Sequence, residues 1–414
     1  MSETTALRNS TPRIVFINRY FYPDHSATSQ MLSDLAFYLA AAGQEVCVVT
    51  SRQRYDDASA KLPPRERIAG VEVWRVPTSR FGRDRLVGRA LDYASFYLAA
   101  GWRLWRLARA GDVIVAKTDP PLICVVAAIV ARWRGAKLVN WVQDVFPEVA
   151  EALGVRALAG PQAALLRRLR NSAFRSAAAN VVLSERMAAV VARAGGPAAR
   201  ISVIPNWADM EAIRPVAAAH NPLRSAWGLA GKFVACYSGN MGRAHEFDTI
   251  LDAAQRLAGT TTAIEFLFIG SGAQRALVEA EVRRRALPNL QFRPYQDRSD
   301  LSYSLGAGDV HLVSQRPEVE GYVFPSKLYG ILAAGRPLVF IGDVQGEIGA
   351  LVAREGIGVA LQQGDDLGLA EQLLRLAGDA PLREAMGARA RALLCERYDK
   401  RLAFRAWLEL LRIL

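Results

Sequence analysis

The chain has 414 residues, 51% hydrophobic and 22% charged, with a formal net charge of +12, which suits two or three globular domains and argues against a disordered chain. Its four cysteines, Cys47, Cys124, Cys236 and Cys395, lie far apart with no CxxC pair and only four histidines besides, a pattern that fits buried thiols in a reducing compartment and not a disulfide framework or a metal site. The longest apolar run, PPLICVVAAIVA, falls short of the ~20 residues a membrane span needs.

The N-terminus, MSETTALRNSTPR, is polar and lacks the apolar core of a signal peptide, so the expected location is the cytoplasm. RIVFI (13–17) reads as the first strand. The loop NRYFYPDHSATSQ follows, then a helix over MLSDLAFYLAAAG, stopped by Gly43. In that loop Asp24 and His25 stand at the mouth of a sheet, where helix N–H groups favour an anion; Ser26 or Thr28 as a helix cap is the plainer reading. EVCVVTS, DVIVAKT and KLVNWVQ are further strands. Asp144 directly follows the last of them, placed either to serve as a base or hydroxyl-positioning group, or to cap the helix opened by Pro147 and Glu148. Between these strands, residues 83–109 interleave Arg83, Arg85, Arg89, Arg103, Arg106 and Arg109 with Tyr93, Phe96, Tyr97, Trp102 and Trp105. A second basic run occupies 165–177. Both compositions suit an anionic membrane surface and equally a solvated helix face over an aromatic core.

The same alternation restarts after IPNWADMEAIRPVAAAHNP (204–222), a stretch with Pro205, Pro215 and Pro222 and no sustained period. KFVACYSGN and AIEFLFIGSG are strands ending in glycine, each followed by a helix. Gly239 and Asn240 close the first, and Gly270, Ser271 and Gly272 the second; adjacent loops of this kind suggest a nucleotide cleft. Arg243 and His245 add possible phosphate contacts. DVHLVS and PLVFIGD are further strands. Between them a helix begins at Ser326 and Lys327, where a lysine opposes the helix dipole unless an anion is bound there. LAFRAWLELLRIL closes the chain as an apolar-rich helix. The grammar is α/β: two tandem doubly wound, Rossmann-like domains, at 1–207 and 208–395, with a final helix at 396–414 returning to the first.

Eight stretches in order resemble the retaining glycosyltransferases of family four, notably bacterial members that build surface polysaccharides and O-antigens. They are FYPDHSATSQMLSDLAFYLAAAGQEVCVVTS, TDPPL, WVQDVFPEVAEALG, VIPNWAD, YSGNMGRAHEFDTILDAA, FLFIGSG, FRPYQ and PSKLYGILAAGRPLVFIGDVQGEI. The resemblance implies the GT-B fold with an interdomain cleft. It implies a nucleotide-sugar donor, more commonly a UDP-sugar, on the second domain, and a glycan or polyprenyl-diphosphate-linked sugar acceptor on the first. No metal or other cofactor is expected, because basic groups neutralise the departing diphosphate, and no nucleic acid. The donor residues so implied are Gly239, Asn240, Arg243, Gly270, Ser271, Gly272, Tyr295, Ser326 and Lys327, with Asp144 and His25 on the acceptor side. The sequence departs from the family at Gly330, where relatives often hold a ribose-binding glutamate; Glu320 and Glu347 are the nearby substitutes. A sugar-nucleotide 2-epimerase of the same fold and an inactive nucleotide-sugar-binding subunit remain as alternatives.

Overall fold

A computed structural model describes residues 12–55, 57, 59–81, 86–155, 160–260 and 263–414. Arg83 and Arg85 of the basic, aromatic stretch lie outside the described residues. The chain divides into two units. The first runs through Glu151 and adds Val155–Ile204 and Phe404–Leu414; the second is Ala152–Gly154 and Pro205–Ala403.

The first unit contains β1 (Ile14–Ile17), α1 (Ala27–Ala41), β2 (Val46–Ser51), β3 (Arg65–Ile68), β4 (Val71–Val76), α2 (Leu86–Leu107), β5 (Val113–Lys117), α3 (Ile123–Arg134), β6 (Lys137–Trp141), α4 (Glu148–Ala152), α5 (Pro161–Ser176), β7 (Ala179–Val182), α6 (Glu185–Arg193) and β8 (Ile201–Val203). Its sheet order is β3-β4-β2-β1-β5-β6-β7-β8. All pairings are parallel except β3 with β4. Strands β1, β2 and β5 are buried at every residue, because helices cover both faces of a parallel sheet. The edge strand β3, RERI, instead alternates exposed and half-buried residues, and its charges blunt the open edge.

The second unit contains α7 (Pro222–Ala226), β9 (Phe233–Ser238), α8 (Asp248–Leu257), β10 (Ile264–Ile269), α9 (Arg275–Arg284), β11 (Leu290–Arg293), α10 (Leu301–Gly306), β12 (Val310–Ser314), α11 (Lys327–Ala333), β13 (Leu338–Ile341), α12 (Glu347–Glu355), β14 (Gly358–Leu361), α13 (Asp366–Gly378) and α14 (Ala380–Leu393); α15 (Lys400–Ile413) starts in it and belongs to the first unit from Phe404 onward. Its sheet is fully parallel, in the order β11-β10-β9-β12-β13-β14. Strand order reverses between β1 and β5 in the first unit and between β9 and β12 in the second. Ligands of open α/β sheets bind beyond the carboxyl ends of strands at such switch points.

Cys47, Cys124 and Cys236 are buried and none of the four cysteines is paired. Burial pushes the Cys47 and Cys124 thiols up to about 12, so both behave as small apolar residues. Residues from α15 complete the core of the first unit. Trp407 is fully buried with its ring centroid 4.7 Å from that of Trp141, and Phe404 stacks on Tyr38 at 4.7 Å. Trp407→Ala removes a buried indole and is expected to cost about 3–5 kcal/mol. A lowered urea midpoint for the first unit, with the second unit's transition unmoved, is the outcome to look for.

Candidate active site

The second unit gathers three side chains from distant elements at its switch point. Tyr237 lies in β9, His245 follows it in the loop, and Lys327 opens α11. The Lys327 ammonium donates to the Tyr237 hydroxyl and lies 3.7 Å from the Tyr237 ring centroid. Tyr237 in turn donates to the Asn240 carbonyl at 2.9 Å. The Lys327 Nζ is 3.4 Å from His245 Nε2, while His245 Nδ1 is 2.5 Å from the Ser314 carbonyl. A carbonyl only accepts, which assigns the proton to Nδ1 and leaves Nε2 to accept from the ammonium. Burial drives the His245 pKa down to about 3, and the Lys327 charge adds to it. His245 is therefore a neutral partner of Lys327 and not a second cation. Burial also lowers Lys327 well below the ordinary lysine value, and no ion pair joins it to a described carboxylate. A half-buried amine so placed favours an anionic ligand, whose charge would restore the ammonium.

The glycines act first on the fold. Gly239, Gly270 and Gly272 have φ of +133°, +131° and +144°. A Cβ on Gly270 would sit 2.2 Å from the Gly239 carbonyl oxygen, and one on Gly272 2.4 Å from Asn240 Oδ1. The close approach these glycines permit is between the loops after β9 and β10 themselves. A Cβ on Gly239 would make only an ordinary contact with Lys327 Cε, at 3.5 Å, so it is the φ of +133° that calls for glycine there. Asn240, Arg243, Ser271, Tyr295 and Ser326 are exposed around this cluster. Ser326 is the N-cap of α11 but makes no side-chain cap hydrogen bond.

Glu320 accepts a hydrogen bond from the Glu347 backbone N–H at 2.7 Å, at the start of α12. One of its oxygens is thus committed to a helix terminus. At Gly330 an added Cβ would meet only Leu305, at 3.4 Å, so no steric demand for glycine exists there.

In the first unit Asp24 is buried and accepts from the Ser26 N–H at 2.8 Å, the Ser26 hydroxyl at 2.5 Å and the Tyr55 N–H. It holds the loop's shape. His25 is exposed, and its carbonyl accepts from Gln30 at 2.8 Å. Thr28 donates to Asp119 at 3.1 Å and does not cap α1. Glu148 is committed to Arg170 through two bonds of 2.9 and 2.6 Å. Asp144 is exposed on one side, yet its carboxyl is raised to about 6, chiefly by burial and further by Asp119, with Lys117 opposing; solvent access moderates that shift. Lys117, at the end of β5, is fully buried and was not singled out from sequence. Among the described residues no group of three or more His, Cys, Asp and Glu side chains is arranged to hold a metal ion.

Two doubly wound units, each with polar side chains at its switch point, form a two-domain architecture of the GT-B type. Residues 27–207 match the model of the glycosyl transferase 4-like domain, and 232–379 that of the glycosyl transferases group 1. A putative colanic acid biosynthesis glycosyl transferase of Escherichia coli (strain K12), WcaI, is 29% identical over 80% of this chain and 83% of its own. A probable glycosyltransferase of Pseudomonas aeruginosa, WbjE, is 29% identical over 72% of this chain and 74% of its own. The crystal structure of Anabaena HepE in complex with UDP-glucose is similar in fold, with a TM-score of 0.72 at 18% identity, covering 97% of this chain and 100% of that one. The chain belongs to glycosyltransferase family four and is an enzyme of the bacterial polysaccharide type.

His311 shares the character of His245. It is fully buried, with Nε2 2.8 Å from the Leu305 carbonyl, and burial lowers its pKa to about 4. The unfolded chain takes up protons at both histidines below about 6.5, while the folded unit does so only near 3 to 4. Their contribution to stability is full above 6.5 and is lost as pH falls toward those values. The second unit is expected to lose urea resistance between pH 7 and pH 5. Exchanging both histidines for glutamine should flatten that decline.

Proposed function

We propose that the protein is a retaining, metal-independent glycosyltransferase of the hexosyl type. In this reading the second unit binds a nucleoside-diphosphate sugar, a UDP-sugar in preference to a GDP-sugar. The first unit binds a glycan or polyprenyl-diphosphate-linked sugar. The observation that carries the reading is Lys327, a half-buried lysine whose amine has neutral neighbours and no described carboxylate partner. A diphosphate leaving group supplies the missing charge, and transition-state negative charge on the β-phosphate strengthens the contact. Ser326 and Arg243 add donors from the exposed rim. The acceptor hydroxyl attacks the anomeric carbon on the face the diphosphate leaves, and the leaving phosphate takes the proton. Asp144 and His25 orient that hydroxyl. The UDP-glucose complex of the HepE structure supports this choice of donor, and the colanic acid biosynthesis role of the Escherichia coli relative supports a glycan acceptor.

The test is transfer by purified protein from a panel of UDP- and GDP-sugars, with and without a polyprenyl-diphosphate sugar, in the absence of added metal. Product is expected with a UDP-sugar, and Lys327→Ala should lower kcat by roughly 100-fold or more while the protein stays folded. Near-normal turnover in that variant removes the diphosphate role from Lys327. Epimerised donor without acceptor identifies a 2-epimerase, and binding without turnover a donor-binding subunit.

The acceptor class also implies work at a lipid surface. Val87, Leu91, Leu98, Trp102 and Trp105 of α2, Ile129 and Trp133 of α3, and Leu165 and Leu169 of α5 are exposed, Leu98 and Trp133 by 77% and 78%. Helix α3 packs against both α2 and α5. Arg106 lies 5.8 Å from the Trp102 ring and Arg134 5.5 Å from Trp105. Tryptophans beside arginines fit the headgroup layer of an anionic bilayer. In the basic run 165–177, Arg170 turns inward to Glu148 and Arg167 pairs with Glu151, so the contact falls mainly on α2 and α3. Among the described residues no helix is long and apolar enough to cross a membrane. Co-sedimentation with phosphatidylglycerol vesicles, weaker with phosphatidylcholine and weakened by Trp102→Ser with Trp133→Ser, is the expected result.

A further inference from the structure

Strands β2 and β4 end side by side, with Ser51 in register with Val76, and the loops beyond them enclose a cavity of about 230 Å³. Its lining is Arg52 and Gln53 just after β2, Lys61 further along the same loop, and Pro77, Thr78 and Arg80 after β4. The cavity lies at the ligand-binding edge of the sheet, one strand from β1 and its Asp24–His25 loop. The loop after β2 is tied to that one, because the Tyr55 N–H donates to Asp24.

The lining is held in place. Gln53 is buried, and its side-chain amide donates to the Thr78 and Ser79 carbonyls at 3.3 and 3.0 Å. The Arg52 N–H donates to the Val76 carbonyl at 3.1 Å, and Arg52 Nε to the Leu62 carbonyl at 2.8 Å. The guanidinium is fixed by that bond, while its Nη groups make none to a described residue. Lys61 and Arg80 are exposed and, like Arg52, pair with no described carboxylate. Among the described residues no carboxylate lines the cavity. On the neighbouring β3–β4 ladder, by contrast, Arg65 pairs with Glu72 and Arg75 with Glu66. A cleft lined by one sign of charge concentrates ions of the other. Thr78 adds a buried hydroxyl without a hydrogen-bond partner, a group that folded proteins ordinarily satisfy. Guanidinium forks, an ammonium and a hydroxyl are together the donor set of a phosphate site.

The surroundings favour a phosphate that carries a lipid. Beyond Arg80 the chain turns onto α2: the Ser79 N–H donates to Ser95 at 3.0 Å, and the Ser79 hydroxyl and Phe81 N–H donate to Asp92 at 2.7 and 3.0 Å. Phe81, Val87 and Leu91 are exposed there by 67%, 72% and 48%. They give a prenyl chain an apolar path from the cavity along the helix proposed above to meet the bilayer. We propose that this cavity seats the diphosphate of the acceptor, with Arg52, Lys61 and Arg80 as its ligands, on the reading given above that the acceptor is lipid-linked.

The test begins without a donor. Pyrophosphate is titrated calorimetrically into the full chain carrying Lys327→Ala, so that the second unit's lysine takes no part. Adding Arg52→Gln with Arg80→Gln is expected to weaken binding roughly tenfold or more. Arg67→Gln, which removes an exposed charge of β3 outside the cavity, should leave it unchanged. Equal losses in both, or none in the first, overturn the proposal. Lys61→Gln with Arg80→Gln spares the bond from Arg52 to Leu62 and decides the point if Arg52→Gln does not fold; unchanged affinity there overturns it equally. With Lys327 intact, Arg52→Gln with Arg80→Gln should raise KM for a polyprenyl-diphosphate sugar roughly tenfold. KM for the donor, and for the same sugar as a diphosphate-free glycoside, should not move. Pyrophosphate binding lost with the lipid acceptor's KM unmoved marks a site for a free anion and overturns the acceptor assignment. Absence of transfer with every donor and acceptor counts against the proposed reaction. In that event geranyl diphosphate binding more tightly than pyrophosphate at these residues supports the lipid-linked source, and equal binding overturns it.

Discussion

Each sheet is sandwiched between helices, and that burial governs everything else in the molecule. Strands such as VCVVTS and IEFLFI are buried from end to end, so their faces carry no chemistry. Parallel strands connected by helices also point the same way, and their loops collect at one edge. The polar clusters of the two units therefore sit at strand ends or in the loops and helix starts beyond them. Lys117, Asp119 and Asp144 do so in the first unit, and Tyr237, His245 and Lys327 in the second.

Both clusters place a primary amine in poorly solvated surroundings, but the company differs. Lys327 faces a phenol and a neutral imidazole. Lys117 faces an indole ring, with carboxylates acting on it from outside direct contact. Burial lowers the pKa in each case. At Lys117 what opposes burial is the charge of the protein's own carboxylates.

Much of this was legible in the sequence, because apolar runs separated by helical periods specify a parallel sheet. The glycine-ended strands and the Ser326-Lys327 pair were visible as features of one domain, and Gly239 and Lys327 do meet there. What escaped was tertiary. Lys327 meets Tyr237 and His245 across separations of 90 and 82 residues, and Tyr237 reads locally as one more strand aromatic. Lys117 ends the strand VIVAK and looks like a boundary residue until the Trp141 ring is found over it. The short strands β3, β7, β8 and β14 carry too few residues for a period to register, and RERI reads as a charged loop. Gly270 and Gly272 were visible as glycines, but the object they make room for is the neighbouring loop, which only the folded chain reveals.

The indole of Trp407 adds a constraint in time. The first unit is not one continuous piece of chain; its core is finished by residues 404–414, beyond the whole of the second unit. A ribosome delivers those residues only after the second unit. Until then Trp141 lacks the ring that packs against it, and the nascent first unit must persist, or wait, with an open place in its core.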